Sequence, residues 1–349
     1  MPRRHLAGIV LLAALCAFPR GGWHAQPFEL SDQAFWKLSS DASEPGGYFR
    51  SQDITNLTSN ELWFQHVIPE LVRRSRPGAV YLGVGPEQNF TYMSALRPKM
   101  AIIFDIRRGN LDLQLLYKAM FELARDRAEF VAMLFSTPPL AGVTTRSSAT
   151  QLFRALAAVS PTDAIHRKYL ALLEQRLVNG HGYPLRSSDV SAIRQIYGTF
   201  RSSGVALRAY PTYADLMTAT DQAGEARSFL ASEDAFLFLK DLEARNLVVP
   251  VVGDFSGPKA LRTVAAYLRP LGSAVGAFYL SNVEQYLFED PSRASVGSWE
   301  AFCRNVAAMP LDEHSIFIRS INSGTFGRGA GFISSLGQIT EEVRGCRGK

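Results

Sequence analysis

The sequence has few of the residues that build metal centres and disulfide scaffolds, with three cysteines and six histidines in 349 residues. His66, His166, His181 and His314 are isolated, not set at the short fixed spacings a zinc site needs, so no metal is expected. A hydrolase elbow is also missing: in Gly253-Asp254-Phe255-Ser256-Gly257 the serine falls one position late. There is no Gly-Lys-Ser or Gly-Lys-Thr, which excludes a phosphate loop. The net charge is +5, but basic residues are spread out. Pairs such as Arg73-Arg74 and Arg107-Arg108 draw no stripe, so no nucleic acid partner is expected. Internal repeats and low-complexity tracts are absent as well.

Near the start, the apolar stretch from Leu6 to Phe18 is too short to cross a bilayer comfortably. It follows Arg3 and Arg4 and precedes Pro19 and two glycines, the grammar of a secretory signal. Residues 1–25 are therefore expected to be a signal peptide or an N-terminal anchor, and the protein to be exported, periplasmic or secreted. Membrane contact is expected only through an uncleaved leader. Trp23 suits cleavage after Ala25 poorly, and Leu15 before Cys16 does not suit lipidation. Without the leader, Cys303 and Cys346 are the remaining cysteines. Closing the loop between them would contribute about 4 kcal/mol in the chain-entropy model.

At 47% hydrophobic and 20% charged over its full length, the chain is a folded globular protein. It is organised around AVYLGVGPEQNFTYMSALRPKMAIIFDIRR, Ala79 to Arg108. One apolar run ends in Gly83-Val84-Gly85; a second ends on Asp105, 22 positions after Gly83. This is the spacing of a nucleotide-type pocket at the carboxyl ends of neighbouring parallel strands, where glycines admit the ligand and a later acid takes the ribose hydroxyls. Gln88 stands where a third glycine would fall. Pro86 has no N–H for a phosphate, which favours a nucleoside without phosphates.

With these residues the stretch resembles the first two motifs of class I S-adenosylmethionine-dependent methyltransferases. The resemblance implies a Rossmann-like, mostly parallel sheet with a helical insertion. It also implies S-adenosylmethionine as cofactor, with Gly83 and Gly85 beneath it and Asp105 on its ribose. Together, GGYF, SNE, YLGVGPEQNFTY, FDIRR and YLSNVEQYL also resemble a bacterial family of methyltransferase-like proteins that brings no established reaction.

Along the chain, residues 26–78 read as an N-terminal arm, 79–135 and 205–349 as the α/β core, and 136–204 as an inserted helical lobe or lid. In the resembled fold the arm closes over the cofactor, which makes Tyr48, Phe49, Asn60 and Glu61 candidates for the pocket lining; simple packing of the arm is the alternative. Asn110 to Phe135 has the period of one long amphipathic helix, and Gly204 to Tyr210 reads as an edge strand. Asp254, after a third strand, matches the position that holds the adenine amino group; as a helix cap it would look the same.

A fourth strand, Ser273 to Leu280, ends in Ser281-Asn282-Val283-Glu284-Gln285-Tyr286. The fold places its reactive groups there. Ser281 or Asn282 would hold a substrate, Glu284 would act as general base and Tyr286 as an aromatic wall. The expected partner is a small molecule. The function implied is a methyltransferase of open substrate, or a transferase using the decarboxylated cofactor. The alternative is an exported, non-catalytic ligand-binding or interaction protein on the same fold. A reporter active only outside the cytoplasm, fused after Ala25, is expected to be switched on; retention inside would refute the leader.

Overall fold

The computed structural model describes residues 28–47, 56–289, 298–322 and 331–345. Among them six strands form one sheet: β1 Val80–Val84, β2 Met100–Asp105, β3 Val248–Val252, β4 Val275–Ser281, β5 Ile316–Asn322 and β6 Phe332–Gln338. Their order is β3-β2-β1-β4-β5-β6. The first five pair in parallel, and β6 runs antiparallel to β5. This is the Rossmann-like, methyltransferase-like α/β fold, with its topological switch point between β1 and β4, where the chain turns from one half of the sheet to the other. The central strands are continuous apolar runs because both faces are covered by helices: β2 and β3 are buried along their whole length.

The amphipathic stretch after β2 is two helices, Arg108–Leu123 and Arg127–Leu134, not one. Ala124 turns extended, and Asp126 caps the second helix by accepting from Glu129 N–H at 2.8 Å. Residues 204–210 hold a short 3-10 turn, Gly204–Ala206, in place of the expected edge strand. Strand β6 forms the outer edge of the sheet beside β5.

Helices fill the chain between β2 and β3, and two devices dock them. The first is aromatic. Phe121 meets Phe130 at 4.6 Å, Phe90 at 5.1 Å and Phe236 at 5.4 Å, joining helices on both sides of the insertion. The second is ionic. His181 lies 2.6 Å from Asp32 through Nδ1 and 2.7 Å from Glu122 through Nε2. Lys118 and Arg176 also reach Glu122, at 2.8 and 2.6 Å. Burial works to raise the Glu122 pKa, but these partners hold it down at about 2. Cys303 is disulfide-bonded; the other two cysteines, Cys16 and Cys346, lie outside the described residues.

Among the described residues no helix is long and apolar enough to cross a membrane. Phe121 is fully buried at the centre of the aromatic cluster. Phe121→Ala is expected to cost about 3–5 kcal/mol in urea unfolding; a loss under about 1 kcal/mol would show that the cluster does not hold the insertion in place.

Candidate functional site

The glycine turn is built from within. Gly85 has φ +80, a conformation that glycine adopts without strain. Its N–H donates to Phe104 O at 3.0 Å, which ties the end of β1 to β2. Asn89 reaches back under the turn, donating to Val84 O at 2.9 Å and Pro86 O at 2.8 Å while accepting from the Tyr81 hydroxyl at 2.9 Å. A Cβ on Gly83 would fall on Asn89 Oδ1, so this glycine's open side is filled by the protein's own clamp. Among the described residues a Cβ on Gly85 would meet Asn56 Nδ2, at 3.7 Å, and Gly85 itself is buried.

At the end of β2, Asp105 is bound by its neighbour. Its Oδ1 accepts from Arg107 N at 2.9 Å and Nε at 3.0 Å, and its Oδ2 from Nη2 at 3.1 Å. Beyond it, Gly253 N–H donates to Asp105 O at 2.8 Å, which brings the β3 turn alongside. There Asp254 Oδ1 accepts from the N–H and hydroxyl of Ser256, both at 2.9 Å, an Asx-type turn. Glu44 of the arm accepts from Lys259 N and Ala260 N at 2.9 and 3.0 Å, capping the helix Ala260–Leu268.

Across the switch point the arm meets β4. Asn60 is exposed, whereas Glu61 turns in and is 2% exposed. Its carboxylate accepts from Ser281 Oγ at 2.6 Å, the Tyr279 hydroxyl at 2.9 Å and Gln88 Nε2 at 2.8 Å. Burial raises the Glu61 pKa, against the pull of those donors. Ser281 sits at a break in register between β4 and β5 with φ +51, a left-handed conformation that costs a non-glycine residue energy. Gln88, the residue that departs from the three-glycine fingerprint, links the arm to the glycine turn.

Of the remaining expected residues, Asn282 is half-buried and accepts from Ser281 Oγ at 3.4 Å. Glu284 gives both oxygens to Arg319, with Nη2 at 3.0 Å, which leaves it poorly placed to act as a base. Tyr286 is 40% exposed. Tyr48 and Phe49 lie outside the described residues. The structure thus brings Gly83, Gly85, Asp105 and Asp254 to adjoining strand ends, joins Glu61 to Ser281 directly, and turns Glu284 toward β5. Among the described residues no group of three or more His, Cys, Asp or Glu could hold a metal ion.

Sequence reasoning missed Glu87, which is fully buried beside the turn. It accepts from Thr58 Oγ1 at 2.9 Å and Ser59 N at 3.1 Å. The signal was present: Glu87-Gln88-Asn89 is a wholly polar triplet that opens a buried helix three residues after a buried strand.

Comparison with known proteins adds a family. The model described as Domain of unknown function (DUF7790) matches residues 54–338. No curated protein matches the chain. A solved rRNA methyltransferase, aviRa from Streptomyces viridochromogenes, is similar over 88% of this chain and 95% of its own, at 13% identity and a TM-score of 0.33. A likeness of that size adds nothing to what the strand order establishes.

Burial pushes the Glu87 carboxyl from 4.5 up to about 7, against the Ser59 and Thr58 hydrogen bonds and the Arg208 charge. A raised carboxyl pKa gives stability that is full below pH 4.5 and is lost as pH rises through 7. For this shift the loss is up to about 3 kcal/mol. Glu87→Gln cannot titrate there. The unfolding free energy of the variant minus that of wild type is expected to move in the variant's favour by up to that amount between acid and mildly alkaline pH. A pH-independent difference would refute the assignment.

Proposed function

We propose, for a chain that belongs to the DUF7790 family and has a methyltransferase-like fold, that the carboxyl edge of its sheet binds S-adenosylmethionine and serves methyl transfer to a small molecule. The supporting observation is the row of hydrogen-bonded turns, Gly85 to Phe104 and Gly253 to Asp105. It lines up Gly85, the β2 acid and Asp254 at the carboxyl ends of the adjoining strands β1, β2 and β3. The fit carries one condition: Asp105 takes the ribose hydroxyls only when Arg107 releases it. The cofactor supplies an electrophilic methyl group. The chain's own residues supply position. Ser281 and Asn282 hold the acceptor. Because Glu284 is engaged by Arg319, a proton arriving at Ser281 Oγ has Glu61 Oε1 as its nearest acceptor, at 2.6 Å.

A second reading, an exported protein that binds a ligand without turning it over, is favoured by how fully the polar groups are already satisfied. Asp105 has Arg107, Glu284 has Arg319, and the open side of Gly83 has Asn89. Turnover of a methyl acceptor would separate the two readings.

Calorimetric titration of S-adenosylmethionine tests the shared premise. Wild type is expected to bind, Asp105→Ala to bind roughly tenfold or more weakly, and Arg107→Ala at least as tightly as wild type. No heat from wild type, or equal affinity in Asp105→Ala, would reject the site.

A further inference from the structure

The two edges of the sheet are finished differently. At β3 the arm takes up the outward backbone groups. Pro250 has no N–H to leave bare, and its carbonyl accepts from Ser39 Oγ of the helix Asp32–Ala42 at 2.6 Å. Val252 N–H donates to Ser43 Oγ at 3.0 Å, and its carbonyl accepts from Glu44 N at 2.8 Å. An unpaired strand edge is a template for pairing with another chain, and cover of this kind prevents it.

At β6 the edge is bare. Ile339 N–H donates to Ser315 O at 2.9 Å where the ladder with β5 ends. Bonds in an antiparallel ladder fall on every second residue, so Ile333, Ser335 and Gly337 bond inward, while Ser334 and Leu336 turn N–H and C=O away from β5. Those outward groups have no hydrogen-bond partner among the described residues. The usual protections of an edge are missing as well: Phe332–Gln338 holds its register without a bulge and carries no charge and no proline. Ile333 is 49% exposed beside its β5 neighbour Ile321, itself 46% exposed.

The composition of the edge selects the partner. An unlike strand is chosen by side-chain pockets or by charge beside the edge it joins. β6 supplies backbone and uncharged side chains, which a second copy matches about a two-fold axis with no like charges opposed. Centred on Ser335, antiparallel pairing engages the whole strand. It sets Ser334 opposite the second copy's Leu336 and Leu336 opposite the second copy's Ser334, so the bare groups of both chains close about four backbone bonds. Ser335 then meets itself across the axis, and the exposed Ile333 comes beside the second copy's Gly337.

We propose that β6 is a dimerisation edge: two copies of the chain join β6 to β6, antiparallel about a two-fold axis through Ser335, into one continuous sheet. The proposal does not rest on the cofactor reading, whose residues lie at the ends of β1, β2 and β3, on the other side of the sheet's centre from β6.

Analytical ultracentrifugation of the full-length chain at micromolar concentration tests the proposal, and wild type is expected to sediment with twice the mass of one chain. Leu336→Pro removes an outward N–H and no bond of the β5 ladder, so it is expected to weaken association roughly tenfold or more. Ser335→Cys supplies a second measurement. A non-hydrogen-bonded antiparallel pair holds its Cα atoms about 4.5 Å apart, within disulfide range, so mild oxidation should join two Ser335→Cys chains through a reducible crosslink. Wild type and Ile333→Cys, whose new thiol lies off the axis, should stay uncrosslinked. Three results would overturn the proposal: a monomeric wild type, a dimer that Leu336→Pro leaves as tight as before, or crosslinking of Ile333→Cys as readily as of Ser335→Cys. Should Leu336→Pro fail to fold, the cysteine variants decide: a crosslink confined to Ser335→Cys supports the two-fold pairing, and its absence rejects it.

Discussion

A carboxyl group shut away from water is the constraint around which the carboxyl edge is arranged. Glu61 enters from the arm and is met by Ser281 and Tyr279 of β4 and by Gln88 beside the glycine turn. A buried carboxylate is costly unless its lone pairs are filled, so these three donors must stay where they are. That requirement fixes the arm against the switch point. It also accounts for a serine held in a left-handed conformation at the end of a strand: the hydrogen bond to Glu61 offsets part of the backbone cost.

The same edge shows a second pattern, in which acids expected to meet a ligand already have partners from the chain. Asp105 receives three bonds from Arg107, and Glu284 receives the fork of Arg319. Planar guanidinium on carboxylate is among the stronger polar pairings in proteins. Any guest at Asp105 would compete with a tethered group two residues away, whose three bonds already occupy most of the carboxylate.

The strands were legible because burial on both faces leaves plain apolar runs, and Gly85, Asp105 and Asp254 because each follows such a run. Three features escaped for physical reasons. The break at Ala124 depends on a local cap from Asp126, which an amphipathic period running through it conceals. Strand β6 is an edge strand of partly exposed residues and carries no apolar run. The union of Glu61 with Ser281 spans 220 positions, and no local pattern in a single chain encodes that pairing. The adjacent pair Asn60 and Glu61 shows the limit most plainly: one faces solvent and the other the core, and composition treats them alike.

The insertion also shapes how the molecule is made. In the finished sheet β2 lies between β1 and β3, yet residues 106–247 separate β2 from β3 along the chain. A ribosome must release all the intervening helices before that pairing can close. Until then β2 is an open edge of bare amides and carbonyls, with an apolar sequence that invites wrong pairing. Phe236, on the helix just before β3, packs on Phe121, so the aromatic cluster stands next in the chain to the strand that covers this edge.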